Sequence, residues 1–140
     1  MFSLRNCRIG IVGLGYVGLP LAVEFGRQFD TMGFDLKADR IRQLQRGRDS
    51  TLETTSKELR AATRLKFTTR LMDLRRCRIF IVTVPTPIDE FKRPDLSPLV
   101  SASSAIGEVL KKGDIVVYES RCTQAALKRS ACRYSSACQA

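Results

Sequence analysis

The sequence predicts an α/β fold, a doubly wound parallel sheet with helices on both faces, truncated at its C-terminus. Three observations predict it: an apolar strand leads through a glycine-rich turn into a helix, a second strand ends in an acid, and further apolar strands alternate with helices along 140 residues. With 44% hydrophobic and 27% charged residues, the chain can form one globular domain with its own core. Such an arrangement is of the Rossmann type.

The first of these observations is a G-x-G-x-x-G pattern between a short apolar strand (residues 7–12) and a helix (residues 19–25). The pattern consists of Gly13, Leu14, Gly15, Tyr16, Val17 and Gly18. In such patterns the first glycine makes the tight turn, the second lets the backbone approach a pyrophosphate, and the third lets helix and strand pack closely. Free N–H groups at the helix N-terminus favour an anion there. The pattern predicts a dinucleotide site, with the alternative that the glycines serve only the turn.

The acid that ends the second strand decides between two dinucleotides. Residues 31–35 form that strand and end in Asp35, which stands 22 residues after Gly13. A carboxylate at this point accepts hydrogen bonds from the adenosine ribose of NAD, whereas the 2′-phosphate of NADP would favour a basic residue. Arg40 supplies a cation five residues later, but Asp35 favours NAD as the cofactor.

The rest of the chain alternates between helices and strands. Helices are predicted over residues 38–46, 56–62 and 97–110, and strands over 65–68, 78–84 and 115–118. Ser56 or Thr55 caps the second of these helices, and Ser97 caps the third, with Pro98 at its first position. The last two strands are almost continuously apolar, as expected for strands covered on both faces.

A proline-rich loop follows the strand at 78–84. Its residues are Pro85, Thr86, Pro87 and Ile88. Ligands of open α/β sheets bind outside the carboxyl ends of the strands, so the loop is a second candidate for contact with a ligand. The two prolines exclude helix and stiffen the segment, which leaves a rigid connector as the alternative.

Charge and cysteine content limit the classes of function. The net charge is +10 and the pI about 9.9, but dinucleotides are anions and no RNA-binding aromatic motif or helix-turn-helix signature is present, so no nucleic-acid partner is predicted. The lack of histidine and of C-x-x-C pairs argues against a metal site. No disulfide framework, signal peptide or membrane-length apolar run is recognised, which predicts a cytoplasmic protein without a membrane partner.

Taken together, these segments resemble the nucleotide-sugar 6-dehydrogenases, the UDP-glucose/GDP-mannose dehydrogenase family. The motifs that carry the resemblance are I-V-G-L-G-Y-V-G-L-P-L-A (11–22), G-F-D (33–35), I-V-T-V-P-T-P-I (81–88), P-D-L (94–96) and K-K-G-D-I-V-V-Y-E-S (111–120). D-S-T-L-E (49–53) and V-P-T-P-I-D-E (84–90) are similar to the branch that acts on UDP-N-acetylhexosamines and their uronic acids. The resemblance covers residues 7–120 almost without a gap.

The resemblance implies NAD-dependent oxidation of a sugar C6 alcohol to a carboxylate, for surface polysaccharide biosynthesis. It implies that Gly13, Gly15, Gly18, Asp35 and Arg40 hold the adenosine and pyrophosphate, and that Val84, Pro85, Thr86 and Ser120 line the cofactor further along. The family's catalytic cysteine and UDP-binding domain have no counterpart here, so no catalytic residue is assigned. The chain alone is expected to be inactive, to bind a UDP-sugar only if that domain is supplied, and not to form the homo-oligomers typical of the family.

The resemblance stops at Ser120, which divides the chain into an NAD-binding domain (1–120) and an aberrant tail (121–140). The family continues Ser-Thr-Val-Tyr-Pro-Gly, whereas this chain continues Ser-Arg-Cys-Thr-Gln-Ala. A single nucleotide string can be constructed that encodes the family's next segment in one frame and residues 121–140 after deletion of its first base, which predicts frameshifted translation. The cysteines of the tail, at 122, 132 and 138, would then form no metal or redox cluster and should react with thiol reagents. Cys7 and Cys77 should be protected from these reagents by the strands that they begin.

Two alternatives to this function remain. One is a free-standing NAD-binding or regulatory module without catalysis. The other is a fragment of a different β-hydroxyacid-type dehydrogenase, which would share the glycine turn but not the V-P-T-P-I loop followed by P-D-L.

Overall fold

The structure is a computed structural model that describes residues 6–119. Ser120 and the predicted frameshifted tail, with its three cysteines, lie outside the described residues. Within residues 6–119, five strands and four α-helices form the order expected for an α/β domain, with one 3₁₀ helix in addition.

Every predicted strand and helix is present. The strands are β1 Ile9–Val12, β2 Thr31–Phe34, β3 Leu65–Thr68, β4 Ile79–Val82 and β5 Ile115–Tyr118. The helices are α1 Gly18–Gln28, α2 Ala38–Gln45, α3 Ser56–Ala61 and α4 Ser97–Val109. The 3₁₀ helix Leu71–Arg76 lies between β3 and β4 and is not predicted by the sequence patterns.

The five strands form one parallel sheet in the order β3-β2-β1-β4-β5. Ile9 of the central strand β1 pairs with Thr31 of β2 on one side and with Ile79 of β4 on the other. The chain therefore winds outward from β1 to β3, returns to β4 beside β1, and winds outward again to β5. The predicted doubly wound Rossmann-type fold is confirmed, and the strand order reverses at β1 and β4, where such folds bind their ligands.

The core consists of two apolar clusters, one on each face of the sheet. On one face, Ile9 and Ile11 of β1 pack with buried residues of α1, α2 and α3. On the other, Val12 packs with Phe80 and Val82 of β4 and with buried residues of α4 and the 3₁₀ helix. Because successive side chains of a strand point to opposite faces, the continuous apolar run of β1 supplies both clusters.

The prediction that β5 is buried on both faces is wrong. Ile115 is 44% exposed and Val117 43% exposed, whereas Val116 and Tyr118 pack against the second cluster. In the part of the sheet that the structure describes, β5 is an edge strand that pairs with β4 alone. Its apolar sequence matches that of a central strand, but its edge position leaves one face open.

The prediction that Ser97 caps α4 is also wrong. Ser97 is the first residue of α4, and Leu96, at the cap position, forms no side-chain hydrogen bond to the helix. The carboxylate of Asp95 instead accepts hydrogen bonds from the Ser97 amide at 2.9 Å and from its hydroxyl at 2.6 Å. Asparagine and aspartate side chains readily accept hydrogen bonds from the backbone two residues ahead, and here this contact satisfies the first N–H of the helix.

The cap of α3 is confirmed as Thr55. Its hydroxyl accepts a hydrogen bond from the Glu58 amide, and the Glu58 carboxylate accepts one from the Thr55 amide, so the two residues form a capping box. None of the helices that the structure describes combines the length and apolar character needed to cross a membrane.

Candidate cofactor site

The glycine-rich turn leaves the carboxyl end of β1 in a conformation that requires its first glycine. Gly13 has a φ of +96°. A Cβ at this residue would also lie 3.1 Å from the backbone nitrogen of Val84 and 3.2 Å from the carbonyl oxygen of Thr83. A side chain at Gly13 is therefore excluded both by backbone conformation and by the close approach of the segment after β4.

The other two glycines of the turn differ in what surrounds them. A Cβ at Gly18 would lie 1.8 Å from the carbonyl oxygen of Gly13 and 2.4 Å from the hydroxyl of Thr83, so no side chain fits. A Cβ at Gly15 would meet no atom within 4 Å. Gly18 is thus required by packing inside the protein, whereas Gly15 borders open space in which a ligand could approach the backbone.

The first backbone amides of a helix have no intrahelical partner and can donate to a ligand. The Leu19 amide donates to the carbonyl of Gly15, so the amides of residues 15–18 precede the first intrahelical bond of α1. Within the described helix α1, the first turn carries no acidic residue. Tyr16 and Val17 are exposed, and the Leu14 side chain is buried in the core. These features suit the binding of an anion such as a pyrophosphate.

Asp35 follows β2 directly and lies against the turn. One carboxylate oxygen accepts a hydrogen bond from the Leu14 amide at 3.0 Å, and the other accepts one from the Lys37 amide at 2.9 Å. A carboxylate with two oxygens has further acceptor capacity, and Asp35 is only half-buried. The sequence prediction placed this acid beside the glycine turn, and the structure brings the two together.

Arg40 is buried and connects the turn to the loop between α2 and α3. Its Nε donates to the carbonyl of Leu14 at 2.9 Å. One terminal nitrogen donates to Asp49 at 2.8 Å and to Ser50 at 3.1 Å, and the other donates to Thr51 at 3.4 Å. The guanidinium therefore makes protein contacts on two sides.

Asp49 is a residue of this region that the sequence analysis did not assign. Its side chain is fully buried. Burial raises its pKa, but hydrogen bonds from the Thr51 hydroxyl, from Arg40 and from the Thr51 and Thr54 amides outweigh burial and hold the pKa below the ordinary value. The D-S-T sequence, typical of a turn closed by an aspartate, was the available signal.

Thr83 is a second residue that the sequence analysis did not assign. It is buried at the end of β4, with its hydroxyl 2.7 Å from the carbonyl of Gly13 and 3.1 Å from that of Val12. Its amide also donates to the Val12 carbonyl, at 2.9 Å. The first part of the turn is therefore fixed against β4 by one residue.

The loop after β4 begins beside the turn and then leaves it. Val84, Pro85 and Thr86 follow the carboxyl end of β4 next to Gly13, with Pro85 exposed and the other two half-buried. Ile88 and Pro94 form an isolated antiparallel bridge, and the Asp89 carboxylate accepts hydrogen bonds from the amides of residues 91 and 93. The predicted lack of helix in this loop is confirmed.

The two cysteines among the described residues are both buried, at Cys7 and Cys77. Burial raises the pKa of the Cys77 thiol to about 11, despite the nearby charges of Arg8 and Lys111. A thiol with such a pKa is a poor nucleophile at neutral pH, so Cys77 has no place in a candidate catalytic site.

The residues predicted to hold the cofactor thus meet at the carboxyl ends of β1, β2 and β4, apart from Ser120, which lies outside the described residues. Open space at Gly15, free amides at the start of α1 and a half-buried carboxylate at Asp35 fit the pyrophosphate and ribose of NAD. The fit rests on backbone atoms and one carboxylate.

The sequence is similar to those of curated bacterial enzymes. The UDP-N-acetyl-D-glucosamine 6-dehydrogenase of Pseudomonas aeruginosa is 60% identical over 117 residues, which are 84% of this chain and 28% of that protein. Its Salmonella typhi namesake is 54% identical over 120 residues, which are 86% of this chain and 28% of that protein. The chain thus spans little more than a quarter of the length of these curated relatives.

A solved structure agrees in fold as well as in sequence. The UDP-D-ManNAc dehydrogenase of Pyrococcus horikoshii superposes with a TM-score of 0.79 at 32% identity, over 91% of this chain and 31% of that one. Residues 7–137 match the model of the NAD binding domain of the UDP-glucose/GDP-mannose dehydrogenase family. With its fold, its glycine turn and these relatives in agreement, the chain belongs to the UDP-glucose/GDP-mannose dehydrogenase family and corresponds to its NAD-binding domain.

Proposed function

We propose that this chain is the cofactor-binding part of an NAD-dependent UDP-N-acetylhexosamine 6-dehydrogenase, which oxidises the C6 alcohol of the sugar to a carboxylate. The observation that carries the proposal is the contact between Asp35 and the Leu14 amide, which places an acid beside the glycine turn. The names of the two bacterial relatives support the hexosamine substrate. Because the chain spans 28% of their length, the proposed reaction is that of the whole enzyme.

In this proposal the residues of the chain bind and orient the cofactor. The amides at the start of α1 donate to the pyrophosphate, and Asp35 accepts hydrogen bonds from the adenosine ribose. Val84, Pro85 and Thr86 line the cofactor further along, and we place Ser120 in the same role. When bound, NAD supplies a hydride acceptor for the oxidation. Holding the acceptor in one position is the contribution of this domain, because orientation of the reactants accounts for a large part of enzymatic rate.

Cofactor choice is tested by titrating the chain with NAD and with NADP. We expect tighter binding of NAD, because the 2′-phosphate of NADP would meet the negative charge of Asp35. The Asp35→Asn variant removes that charge and should bring the dissociation constants of NAD and NADP closer together. Equal or tighter binding of NADP by the unmodified chain would contradict the assignment.

The proposed reaction is tested in a chimaera. Residues 7–119 replace the matching segment of the Pseudomonas aeruginosa relative, and NADH formation is followed with UDP-N-acetylglucosamine. The matched control is the same chimaera with Asp35→Asn, which should require more NAD for half-maximal rate. A folded chimaera that binds NAD but forms no NADH would favour the alternative of an NAD-binding or regulatory module.

Partners and location belong to the same proposal. The partner is a UDP-sugar in the context of the whole enzyme, and no homo-oligomer is proposed for the 140 residues alone. The cysteine usage described above, without a disulfide framework, supports a cytoplasmic location.

A further inference from the structure

Leu14, the second residue of the glycine turn, is held from two sides. Its amide donates to Asp35 and its carbonyl accepts from Arg40 Nε at 2.9 Å. A shift of the Arg40 guanidinium would therefore move the peptide groups of the turn and the carboxylate of Asp35 together. The position of Arg40 thus matters for the position of the turn.

The position of Arg40 depends in turn on Asp49. Asp49 accepts from Arg40 with one oxygen and from the amides of Glu53 and Thr54, both at 3.0 Å, with the other. The Thr51 amide and hydroxyl donate to the first oxygen at 2.9 and 2.7 Å. Because the Asp49 side chain is fully buried, this carboxylate acts on a ligand only through its neighbours.

We propose that Asp49 is a positioning residue for NAD: it holds Arg40 against the Leu14 carbonyl and so fixes the turn that receives the pyrophosphate. The proposal rests on the proposed binding of NAD and deepens it. It couples the loop of residues 49–54 to the cofactor, and it gives Arg40 a role that a lysine cannot fill, since one ammonium cannot bridge the two acceptors as the planar guanidinium does.

The Asp49→Asn variant tests the proposal, because it keeps the size of the side chain and removes its charge. The dissociation constants of NAD and of ADP, which carries the pyrophosphate without nicotinamide, are measured by calorimetry well below the melting temperature. Both should rise by the same factor, about tenfold, as expected for the loss of one charge-assisted hydrogen bond.

Asp114→Asn is the matched control. The Asp114 side chain is also fully buried and paired with an arginine, Arg78, whose Nε lies 3.1 Å away without forming a regular hydrogen bond. It stands just before β5, at the amino ends of the parallel strands, whereas the glycine turn follows the carboxyl end of β1. This variant should lose stability but bind NAD and ADP as the unmodified chain does.

A double variant separates positioning from direct contact. If Arg40 acts through the contact that Asp49 maintains, Arg40→Lys alone and Arg40→Lys combined with Asp49→Asn should weaken ADP binding by about the same factor. If instead the two substitutions weaken ADP binding by factors that multiply in the double variant, Arg40 binds the ligand directly and the proposal is overturned. Unchanged affinity in a folded Asp49→Asn variant would overturn it as well.

Amide hydrogen exchange on the unmodified chain provides a test that needs no variant. Saturating NAD should slow exchange of the Glu53 and Thr54 amides, which donate to Asp49, and leave the Lys111 amide, which donates to Asp114 at 2.9 Å, unchanged. Equal exchange of Glu53 and Thr54 with and without bound NAD would overturn the proposal. If the chain bound neither NAD nor ADP, the proposed function would fail first, and this inference with it.

Discussion

The glycine turn at residues 13–18 and the loop at residues 85–95 leave the same edge of the sheet, yet they are held in different ways. The turn is fixed by contacts from distant parts of the chain: Asp35, Arg40 and Thr83 each bind its backbone. The loop is fixed mainly by its own residues, through the Asp89 carboxylate and the bridge of Ile88 to Pro94. The turn is therefore a rigid part of the fold, whereas the loop is a local structure attached to it.

Gly18→Ala should give the largest effect on the turn. The added methyl group would lie 1.8 Å from the carbonyl oxygen of Gly13, a backbone atom that cannot move without displacing the turn. We expect a loss of stability of about 1–3 kcal/mol or more, as for overpacked interiors, together with loss of measurable NAD binding. Thermal unfolding and calorimetry check both effects, and a fully stable variant that binds NAD would contradict the rigidity of the turn.

Gly15→Ala should separate binding from stability within the same turn. Its methyl group would meet no protein atom within 4 Å but would occupy the space beside the free amides. We expect NAD affinity to fall by about tenfold while the melting temperature stays close to that of the unmodified chain. Unchanged affinity would mean that the pyrophosphate does not approach the turn at Gly15.

Acid should weaken the part of the turn that depends on Asp49. Because the pKa of Asp49 is lowered in the folded state, its charged form stabilises the fold above the unfolded-state pKa, about 4. That contribution is lost as the pH falls through the lower, folded-state pKa. Glu58 and Asp95 also have lowered pKa values, so the variant must be compared with the unmodified chain. The free energy of unfolding, measured with denaturant, should fall less for Asp49→Asn than for the unmodified chain between neutral pH and about pH 3. An equal dependence of the free energy of unfolding on pH in the two chains would contradict the assignment to Asp49.

Phe91→Ala should give the smallest effect and tests the loop. Phe91 is 68% exposed and carries the Arg93 guanidinium 5.1 Å from the centre of its ring. An exposed pair of this kind contributes about 0.5–1 kcal/mol at most, and the turn does not depend on it. Stability and ADP affinity should both remain nearly unchanged. A large fall in ADP affinity would show that loop and turn are coupled after all.

The sequence predicted those features that short-range patterns determine. The strand, turn and helix at residues 7–25 and the acid at Asp35 follow from apolar runs and glycine spacing, and the structure places them together. The contact between Arg40 and Asp49 was not predicted, because it joins two polar residues across an irregular loop where no period applies. The open face of β5 was missed for another reason: Ile115 and Val117 have the side chains of a buried strand, and only sheet order reveals an edge.

The sheet order also bears on how the domain folds. Ile9 and Ile79 are paired neighbours although they stand 70 positions apart in the chain, whereas β1 pairs with β2 across a much shorter connection. Pairings that close short loops lose less chain entropy and tend to form early. We expect the half that contains β1, β2 and β3 to assemble first and β4 to dock afterwards. The hydrogen bond from the Thr83 hydroxyl to the Gly13 carbonyl would then form in this second step. Apolar truncations in β1 or β2 should then mainly slow refolding, and truncations in β4 should mainly accelerate unfolding.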